Sequence, residues 1–455
     1  MGVHLIDSAL FGDQFGTPEL RAVFSDDAVL RSWMQVEAAL ARAEARAGMI
    51  PSGAADAIAA CVETTTWEPA ALAAGIADTF HPLVPAIRLL ADRCGEAGAY
   101  VHWGATTQDI MDTGLVLQLR AAFGVLMRDL QALRDEWATL AARHRNTPMP
   151  GRTHGQHAPP ITFGFKVAVW VAELDRHLER FAACRPRLLV GQLAGASGTL
   201  ASFGPHGLEV QRLLMDELGL GVPPIAWHTA RDTLGEFVAL LGLLCATLAK
   251  ETLEIIHLQQ TEVAEVEEPF NWGKVGSSTM PHKRNPMICE LVVALCRIVR
   301  QDVALGLDTM VQEHERDMGA WQAEWEYIPR ACLLTGSAPT HSLRVARGLR
   351  VDERRMRANI DLSGGLALSE VIMLELGRVI GRQDAHEVVY RIAMRVAEGG
   401  GSFRQALLDD DEVRGRLDAE QIDALLQPER YLGAAPACVD RVLATGAQPT
   451  REVML

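Results

Sequence analysis

Apolar residues recur at alternating steps of four and three along several long stretches of the chain. In the first stretch they lie at Leu119, Phe123, Leu126, Leu130, Leu133, Trp137 and Leu140. Such spacing places one apolar stripe along a helix, and it predicts an α-helix from about Thr106 to about Asn146, roughly 55 Å long. A helix of this length cannot bury its stripe within one small domain, so we expect comparably long neighbours.

Four further stripes predict these neighbours. They occupy residues 163–181, 237–258, 291–298 and 321–332, and the first of them is expected to end before Pro186. Five long antiparallel helices of this kind form a bundle, so the pattern predicts an all-α fold. Because the stripes are wider than one partner needs, helices of other subunits are expected to cover part of them.

Helix-breaking residues divide the chain on either side of the predicted bundle. Residues 1–105 predict an N-terminal helical domain, 106–350 the central long-helix bundle, and 351–455 a small C-terminal helical domain. Within the first segment, Ser25 is expected to cap a helix that ends near Gly48.

Composition agrees with a helical protein and limits its partners. Hydrophobic residues make up 49% of the chain and aromatic residues 5%, which favours helices over sheets. The formal net charge of −15 argues against nucleic acid or an anionic membrane as a partner. The eight cysteines form no C-x-x-C pair, which is typical of a reducing compartment, and the histidines show no metal-binding spacing. We therefore expect a soluble, cytoplasmic protein without a metal or other cofactor.

Polar residues concentrate in three breaks between the predicted helices: break A (102–109), break B (151–160) and break C (276–286). Break A has the T-x-x-D form of a capping box and places two hydroxyls and an amide at a helix N-terminus, where backbone N–H groups attract anions. Break B places two histidines between glycines and prolines. The plain alternatives are a helix cap for break A and solvated turns for breaks B and C.

The side chains of the three breaks suit the removal of a proton next to a carboxylate. The dianion that develops needs cations and N–H donors directed at it. A serine of break C can be the base if its alkoxide is stabilised, and Lys283, loop amides and the helix N-terminus after Pro286 could do this. A histidine would then supply the proton to the leaving group.

The motif Gly276-Ser277-Ser278-x-x-Pro281-x-Lys283-x-Asn285 resembles the signature loop of the fumarase/aspartase (fumarate lyase) superfamily. Breaks A and B resemble its other two shared regions. The resemblance implies an all-α, three-domain fold and a homotetramer with a central twenty-helix bundle, whose active sites combine three subunits. It also implies cofactor-independent elimination or addition on a small dicarboxylate or tricarboxylate through an aci-carboxylate intermediate.

The resemblance implies roles for individual residues. Ser277 would be the base, Ser278 could share its work, and His154 would donate the proton to the leaving group. The residues implied to bind substrate are Thr106, Thr107, Gln108, Thr153, Lys283 and Asn285. His81 and Arg231 are further candidates for substrate binding.

Different segments resemble different members of the superfamily. Break A and residues 312–326 are most similar to 3-carboxy-cis,cis-muconate cycloisomerases, but those enzymes carry a tryptophan where this chain has His154. Residues 153–158 are instead similar to adenylosuccinate lyase. The serine-rich phosphate-binding pattern of that enzyme is missing after Arg316, where Trp321 and Trp325 stand, so a nucleotide substrate is not expected.

This combination predicts a lyase or isomerase of a succinate-type substrate. An N-substituted aspartate such as iminodisuccinate would be split to fumarate and an amine, or epimerised by elimination and re-addition. The alternative is 3-carboxy-cis,cis-muconate cycloisomerase, followed by adenylosuccinate lyase or an inactive structural homologue.

Overall fold

The computed structural model describes residues 4–270, 279–317, 319–399 and 401–445, and most of them are helical. The α-helices are α1 Gly12–Phe15, α2 Pro18–Val23, α3 Asp26–Arg46, α4 Ser52–Thr64, α5 Pro69–Thr79, α6 Leu83–Arg93, α7 Thr107–Arg143, α8 Phe163–Leu188, α9 Gly207–Leu218, α10 Asp232–Gln259, α11 Met287–Asp308, α12 Ala320–Gly348, α13 Glu353–Asp361, α14 Ser369–Ile380, α15 Arg382–Gly399, α16 Phe403–Leu408, α17 Asp411–Arg414, α18 Ala419–Leu425 and α19 Ala435–Thr445. The strands are β1 Pro148–Thr153, β2 Gln156–Thr162, β3 Val266–Glu267 and β4 Arg350–Val351.

The chain forms two compact units. Unit 1 comprises residues up to Leu130, His177–Leu248 and Ala294–Thr340, and unit 2 comprises the remaining segments, 131–176, 249–293 and 341–455. The long helices α7, α8, α10, α11 and α12 each contribute residues to both units. The two units are built from interleaved segments, whereas the predicted domains are three successive segments. The predicted domain division stays a prediction.

The predicted long helices are present where the apolar stripes lie. Helix α7 has 37 residues and α10 has 28. Helix α3 begins after Ser25, whose hydroxyl accepts a hydrogen bond from the backbone of Ala28 at 3.3 Å, and it ends before Gly48, as predicted. The prediction that the second stripe ends before Pro186 is wrong, because α8 continues to Leu188. A proline near a helix end removes few hydrogen bonds, so the last turn tolerates it.

Apolar packing in unit 1 fixes the first turns of α7. Helix α3 packs against α4 and α9, and the core around them includes Leu40 from α3, Ile110 from α7 and Leu214 from α9. Each is at most 1% exposed, and full burial of such a side chain is worth about 1.5–3 kcal/mol. The start of α7 therefore has a rigid apolar support.

The segment predicted as an irregular break B is a β-hairpin in unit 2. Strands β1 and β2 pair antiparallel, with Thr153 opposite Gln156 and a bulge between Met149 and Gly151. The two-residue turn, His154-Gly155, has positive φ at both positions (51° and 75°), as a type I′ turn requires. Glycine is needed at 151, because a Cβ there would lie 2.4 Å from the carbonyl oxygen of Pro159. The glycines and prolines that suggested a loop shape a short hairpin instead.

The C-terminal part of unit 2 has its own apolar core. Helices α14, α15 and α16 contribute Ile372, Leu376, Val389 and Phe403 to it. This agrees with the predicted change to shorter helices after residue 351.

Two helices are long and apolar enough to cross a membrane when only length and composition are considered. They are Thr107–Arg143 and Asp232–Gln259, and their most apolar windows are 72% and 61% buried. Core helices of soluble proteins show the same combination, so this is weak evidence for a membrane span.

A buried acid lies on α3. The side chain of Glu44 is fully buried, and neither of its carboxylate oxygens has a hydrogen-bond partner among the described residues. Burial raises the pKa of Glu44 to about 9, and the neighbouring Glu37 adds to the increase. Glu44 is therefore protonated in the folded protein at neutral pH, although it would be ionised in the unfolded chain.

This difference makes the stability of the fold depend on pH. Between the unfolded pKa near 4.5 and the folded pKa near 9, the folded state binds one proton more than the unfolded state, so stability decreases as pH rises. The slope from this group is at most about 1.4 kcal/mol per pH unit. We expect Glu44→Gln to flatten the decrease in the free energy of unfolding between pH 5 and pH 9, measured by urea denaturation at fixed protein concentration. Glu63→Gln, an exposed change on α4, is the matched control, and equal pH slopes in wild type and Glu44→Gln would contradict the assignment.

Candidate active site

Asp109 organises the start of α7. Its Oδ2 atom accepts hydrogen bonds from the backbone N–H groups of Thr106 at 3.0 Å and Gly195 at 2.9 Å. Its Oδ1 atom accepts one from the N–H of Ala194 at 2.9 Å and lies 2.8 Å from Nε2 of His228. A buried carboxylate requires such partners. Asp109 therefore connects two loops to the first turn of α7. Its bond to the backbone N–H of Thr106 is one of the two hydrogen bonds of the predicted capping box.

Arg316 contacts the first turn of α7, and no described carboxylate forms an ion pair with its guanidinium. Its Nη1 donates to Oγ1 of Thr106 at 2.6 Å, and its Nε donates to Oε1 of Gln108 at 3.3 Å. Gln108 is held in turn by the carbonyl oxygen of His228, to which its Nε2 donates at 3.0 Å. Both partners of Arg316 are neutral, and within the described ranges it forms no ion pair. A half-buried guanidinium of this kind retains charge and N–H donors for an anion.

His81 lies close enough to Arg316 for the guanidinium charge to act on its imidazole. Burial lowers the pKa of His81, and the positive charge of Arg316 and the nearby His102 lower it further. Its Nδ1 accepts a hydrogen bond from the backbone of Leu83 at 3.3 Å, which places the proton of the neutral ring on Nε2. His81 is therefore a neutral N–H donor at physiological pH.

His102, in break A, has the opposite character. Its Nδ1 lies 2.6 Å from Oε1 of the buried Glu37. Burial acts to lower the pKa of His102, but the carboxylates of Glu37 and Asp109 outweigh it, and the pKa is raised. His102 and Glu37 therefore form a hydrogen-bonded pair, in which the carboxylate offsets the positive charge of the imidazole when it is protonated.

Arg231 is enclosed by acids and is 2% exposed. It donates to Asp112 at 2.7 and 3.0 Å and to Glu324 at 3.0 and 3.1 Å, with a further short bond from Nη2 to Glu324. Its guanidinium also lies 4.9 Å from the ring centre of Trp227. This geometry does not support the predicted contact of Arg231 with substrate, because its donors are already occupied. Arg231 instead joins α7 to α12.

Trp321 connects this ion cluster with His81. Its Nε1 donates to Oδ1 of Asp112 at 3.1 Å, and its ring centre lies 6.4 Å from that of His81. On its other side Trp325 packs edge-on at 4.9 Å. The first turns of α12 are thereby fixed against α7 and the segment that contains His81.

The structure thus brings four of the predicted residues together in unit 1: Thr106, Thr107, Gln108 and His81. Thr107 is the first residue of α7 and is half-buried, and its hydroxyl makes no hydrogen bond with a described residue. Thr153 and His154 lie elsewhere, at the exposed tip of the β1–β2 hairpin in unit 2. Below the tip, Arg152 donates to the buried Glu265 at 2.5 and 3.0 Å, which anchors the hairpin within that unit.

Break C is described from Thr279 onward, so the predicted Ser277 and Ser278 lie outside the described residues. Lys283 is exposed, and Asn285 is half-buried two residues before the start of α11. The expected role of the α11 N-terminus in stabilising an alkoxide stays a prediction, and two of its N–H groups are already occupied. The carboxylate of Glu268 already accepts hydrogen bonds there, from the N–H of Ile288 at 3.0 and 3.2 Å and of Cys289 at 3.1 Å. Lys283 is the charged side chain among the groups that were predicted to stabilise the alkoxide of the serine base.

No three histidine, cysteine, aspartate or glutamate side chains are grouped as metal ligands within the described ranges. The expectation of a cofactor-independent enzyme stays a prediction.

Sequence reasoning missed three residues that complete the unit 1 cluster: Arg316, His102 and His228. His102 stands in break A, next to the residues that were selected. Arg316 lies in the segment 312–326, which was used only for the resemblance, and His228 lies outside the three breaks. Each contacts α7 across more than a hundred residues of sequence, and no local pattern marks such a contact.

Comparison with known proteins identifies the family. A family model described as "Lyase" matches residues 14–300, and one described as "Adenylosuccinate lyase C-terminus" matches residues 365–442. Among relatives, the chain is 44% identical over 443 residues to N-acetyl-S-(2-succino)cysteine lyase of Dickeya dadantii, covering 97% of this chain and 98% of that protein. It is also 44% identical over 439 residues to 3-carboxy-cis,cis-muconate cycloisomerase of Pseudomonas aeruginosa, covering 96% of each.

Solved structures agree with these relatives. Fumarate lyase from Mesorhizobium sp. BNC1 superposes with a TM-score of 0.90 at 41% identity, covering 94% of this chain and 98% of that one. The 3-carboxy-cis,cis-muconate lactonizing enzyme of Pseudomonas putida gives a TM-score of 0.91 at 40% identity, covering 96% and 98%. The predicted superfamily resemblance and all-α fold with a long central helix bundle are confirmed: the chain belongs to the fumarate lyase superfamily of lyases and isomerases.

Proposed function

We propose that this protein is a lyase that eliminates the substituent of a 2-substituted succinate and releases fumarate. The observation that carries the proposal is the uncompensated guanidinium of Arg316, held by Thr106 and Gln108 at the start of α7. A succinate carboxylate fits this position, because a guanidinium presents two parallel N–H groups to a carboxylate.

The surroundings of Arg316 favour a dianion more than a monoanion. The neutral His81 offers an N–H donor nearby, and the N-terminus of α7 adds a partial positive charge. Such preorganised donors stabilise charge that develops in a transition state. The cluster therefore suits a carboxylate that takes up an additional electron pair.

The proposed reaction begins with Ser277 as the base, with Ser278 as the alternative. The base removes a proton from the carbon next to the bound carboxylate, and the electron pair moves into that carboxylate to give the aci-carboxylate dianion. Lys283, Asn285 and Thr153 bind the rest of the dicarboxylate. When the electron pair returns to form the double bond, the bond to the substituent breaks and its electron pair leaves with the substituent, which His154 protonates.

The proposed site requires an assembly of subunits. His154 is exposed at the tip of the β1–β2 hairpin, as expected of a group that serves another subunit. We propose a homotetramer in which three subunits contribute to each site, acting in the cytoplasm on a small dicarboxylate or tricarboxylate.

Sulfur and nitrogen substituents are both compatible with this mechanism. The sequence favours an N-substituted aspartate such as iminodisuccinate, for which elimination followed by re-addition would give epimerisation. Relatives from two organisms, at 44% and 42% identity, are named N-acetyl-S-(2-succino)cysteine lyase, so the sulfur-linked succinate is the first substrate to test. The second candidate function is 3-carboxy-cis,cis-muconate cycloisomerase, which a relative at 44% identity also supports.

A substrate panel separates these functions. It contains N-acetyl-S-(2-succino)cysteine, iminodisuccinate, adenylosuccinate and 3-carboxy-cis,cis-muconate, with fumarate followed by ultraviolet absorbance and lactone by NMR. We expect one thiol or amine for each fumarate released. A higher kcat/KM for lactone formation than for any elimination would replace the proposal with the cycloisomerase.

The anion site makes a quantitative prediction. Arg316→Gln removes a charge-assisted hydrogen bond to the substrate carboxylate, worth about 1.5–3 kcal/mol, so kcat/KM should fall roughly 10- to 100-fold. The inhibition constant of succinate, measured by competition, should rise by a similar factor, while the melting temperature stays within about two degrees. Arg212→Gln on α9, which removes an exposed pair with Asp216, is the matched control. Unchanged succinate inhibition in Arg316→Gln would show that the carboxylate binds elsewhere.

The proposed acid makes a prediction about leaving groups. A thiolate leaves with a conjugate-acid pKa near 8.5 and needs little help, whereas an amine nitrogen must be protonated before its bond breaks. His154→Gln should therefore lower kcat about 100-fold or more for an amine substituent and markedly less for a thiol. His386→Gln, an exposed change on α15, controls for the loss of an imidazole. Equal losses on both substrates would remove His154 from the role of acid.

A further inference from the structure

Two half-buried cysteines lie side by side in unit 1. Cys61 is in the last turn of α4, and Cys94 is the first residue after α6. The thiol of Cys61 donates to the carbonyl oxygen of Arg93 at 3.6 Å. Because this carbonyl group is bonded to the backbone nitrogen of Cys94, standard bond lengths place the sulfur of Cys61 within about 8 Å of the Cβ atom of Cys94. Two residues that are far apart in the sequence are therefore neighbours in the fold.

The contact between the two thiols gives them different roles. Burial raises the pKa of the Cys94 thiol to about 12, and its hydrogen bond to Cys61 and the charge of Cys61 add to the increase. Cys94 therefore keeps its proton near neutral pH and donates it towards the sulfur of Cys61. The attacking species in thiol–disulfide exchange is a thiolate. Cys61 is consequently the residue of the pair that reacts first.

The backbone beside Cys94 allows the two sulfurs to reach bonding distance. A disulfide has an S–S length of roughly 2.05 Å, with the Cβ atoms about 3.5–4.5 Å apart. Cys94 lies where α6 passes into a short 3-10 helix, Gly95–Tyr100. Gly95 has a φ of 57°, and among the described residues beyond its two neighbours no atom lies within 4 Å of the position of a Cβ there. A glycine in open space adapts its backbone readily, so a small shift at this joint brings the sulfurs together without disturbing α6.

Exposure sets this pair apart from most other cysteines of the chain. A reagent in solution reaches a half-buried sulfur, whereas a buried structural cysteine is inert. The buried cysteines are Cys184, Cys245, Cys289, Cys296 and Cys332. Cys438, on α19, is half-buried but belongs to unit 2. A small reagent should therefore react at Cys61 and Cys94 before it reacts at the buried thiols.

We propose that Cys61 and Cys94 are a redox modification site, at which a low-molecular-weight disulfide such as oxidised glutathione converts the two thiols into a reversible disulfide. The thiolate of Cys61 attacks one sulfur of oxidised glutathione, so a mixed disulfide forms and one glutathione leaves. The sulfur of Cys94, after losing its proton, attacks the sulfur of Cys61 and displaces the second glutathione. The two glutathione thiolates take up the two protons that the protein loses. Transient disulfides of this kind serve as redox sensors in reducing compartments.

The disulfide lies on the segment that leads to break A. Leu83 and Leu90 fix α6 in the core, and both are 0% exposed, so the shift that accompanies the disulfide falls on the 3-10 helix after Cys94. Two residues beyond this helix is His102, which is paired with Glu37 at 2.6 Å. We therefore expect the redox state of the pair to alter the candidate site. This consequence rests on the proposed function, whereas the disulfide itself does not.

The first test needs no substrate. The full-length protein is incubated with excess oxidised glutathione, its remaining thiols are alkylated, and it is digested without reduction. Mass spectrometry should find one pair of peptides joined through Cys61 and Cys94, and two of the eight thiols should be lost to alkylation. Dithiothreitol should restore both. Cys438→Ser, which removes a half-buried cysteine of the other unit, is the matched control and should form the same cross-link.

Two single variants separate the roles of the cysteines. In Cys94→Ser no thiol displaces glutathione from Cys61, so a mixed disulfide should accumulate there. In Cys61→Ser the remaining Cys94 should stay reduced under the same conditions. The inference is overturned if the wild type keeps all its thiols, if a mixed disulfide is its only product, or if the bond joins two copies of the chain, which a non-reducing gel shows as a covalent dimer.

The second test measures the consequence for the site. Oxidised wild type should have a kcat/KM at least about threefold lower than the reduced protein, a change typical of coupling between neighbouring elements. Cys61→Ser should give the same kcat/KM under both conditions. Equal values for oxidised and reduced wild type, once the cross-link is verified, would overturn the link to the site. Failure of the proposed function has a different signature, because no succinate of the panel would then release fumarate from the reduced protein.

Discussion

The four hydrogen bonds to the buried carboxylate of Asp109 are the constraint on which the rest of unit 1 depends. They connect the backbone before α7, the turn at Ala194-Gly195 and the imidazole of His228. His228 then positions Gln108 through its carbonyl oxygen, and Gln108 with Thr106 positions Arg316. A buried charge is costly unless every partner is in place. This requirement makes the loops and the first turn of α7 a single rigid arrangement.

Two arginines of the same unit have opposite electrostatic surroundings. Arg231 is buried between Asp112 and Glu324, so its charge is matched and it stabilises the contact between α7 and α12. Arg316 donates to the neutral oxygens of Thr106 and Gln108 and forms no ion pair with a described residue. Removing one partner of a buried ion pair leaves an uncompensated charge, so the Arg231 cluster resists rearrangement. The ion cluster of Arg231, Asp112 and Glu324 therefore holds Trp321 in place through Asp112. Arg316 lies in the same unit, outside this cluster.

Local sequence patterns predicted the long helices and the residues that cap them. They did not predict contacts between residues that are far apart in the sequence. The apolar residues at alternating steps of four and three predicted α7, and the T-x-x-D pattern predicted the hydrogen bond between Asp109 and Thr106. Break B was taken for a loop because glycine and proline interrupt helices, although they equally shape a bulged hairpin. Arg316 and Arg231 could not be assigned correctly, because only the fold decides whether an arginine meets carboxylates or neutral groups. Lys283 and a serine of break C were selected from their residue types, the resemblance then singled out Ser277 with Ser278 as its alternative, and these roles remain proposals.

Non-glycine residues with positive φ recur in or beside the segments that carry the candidate site residues. Among the described residues, the non-glycine positions with positive φ are Phe80, His102, His154, Leu200, Ala264 and His314. Phe80 precedes His81, His314 lies two residues before Arg316, and His102 and His154 belong to breaks A and B. Such conformations cost of order 1 kcal/mol or more each, and they persist where the surrounding structure holds them. Phe80 is the C-cap of α5 and His154 lies in the type I′ turn of the hairpin, so the local structure requires a positive φ at both, and it fixes the direction in which the backbone continues to His81 and Gly155.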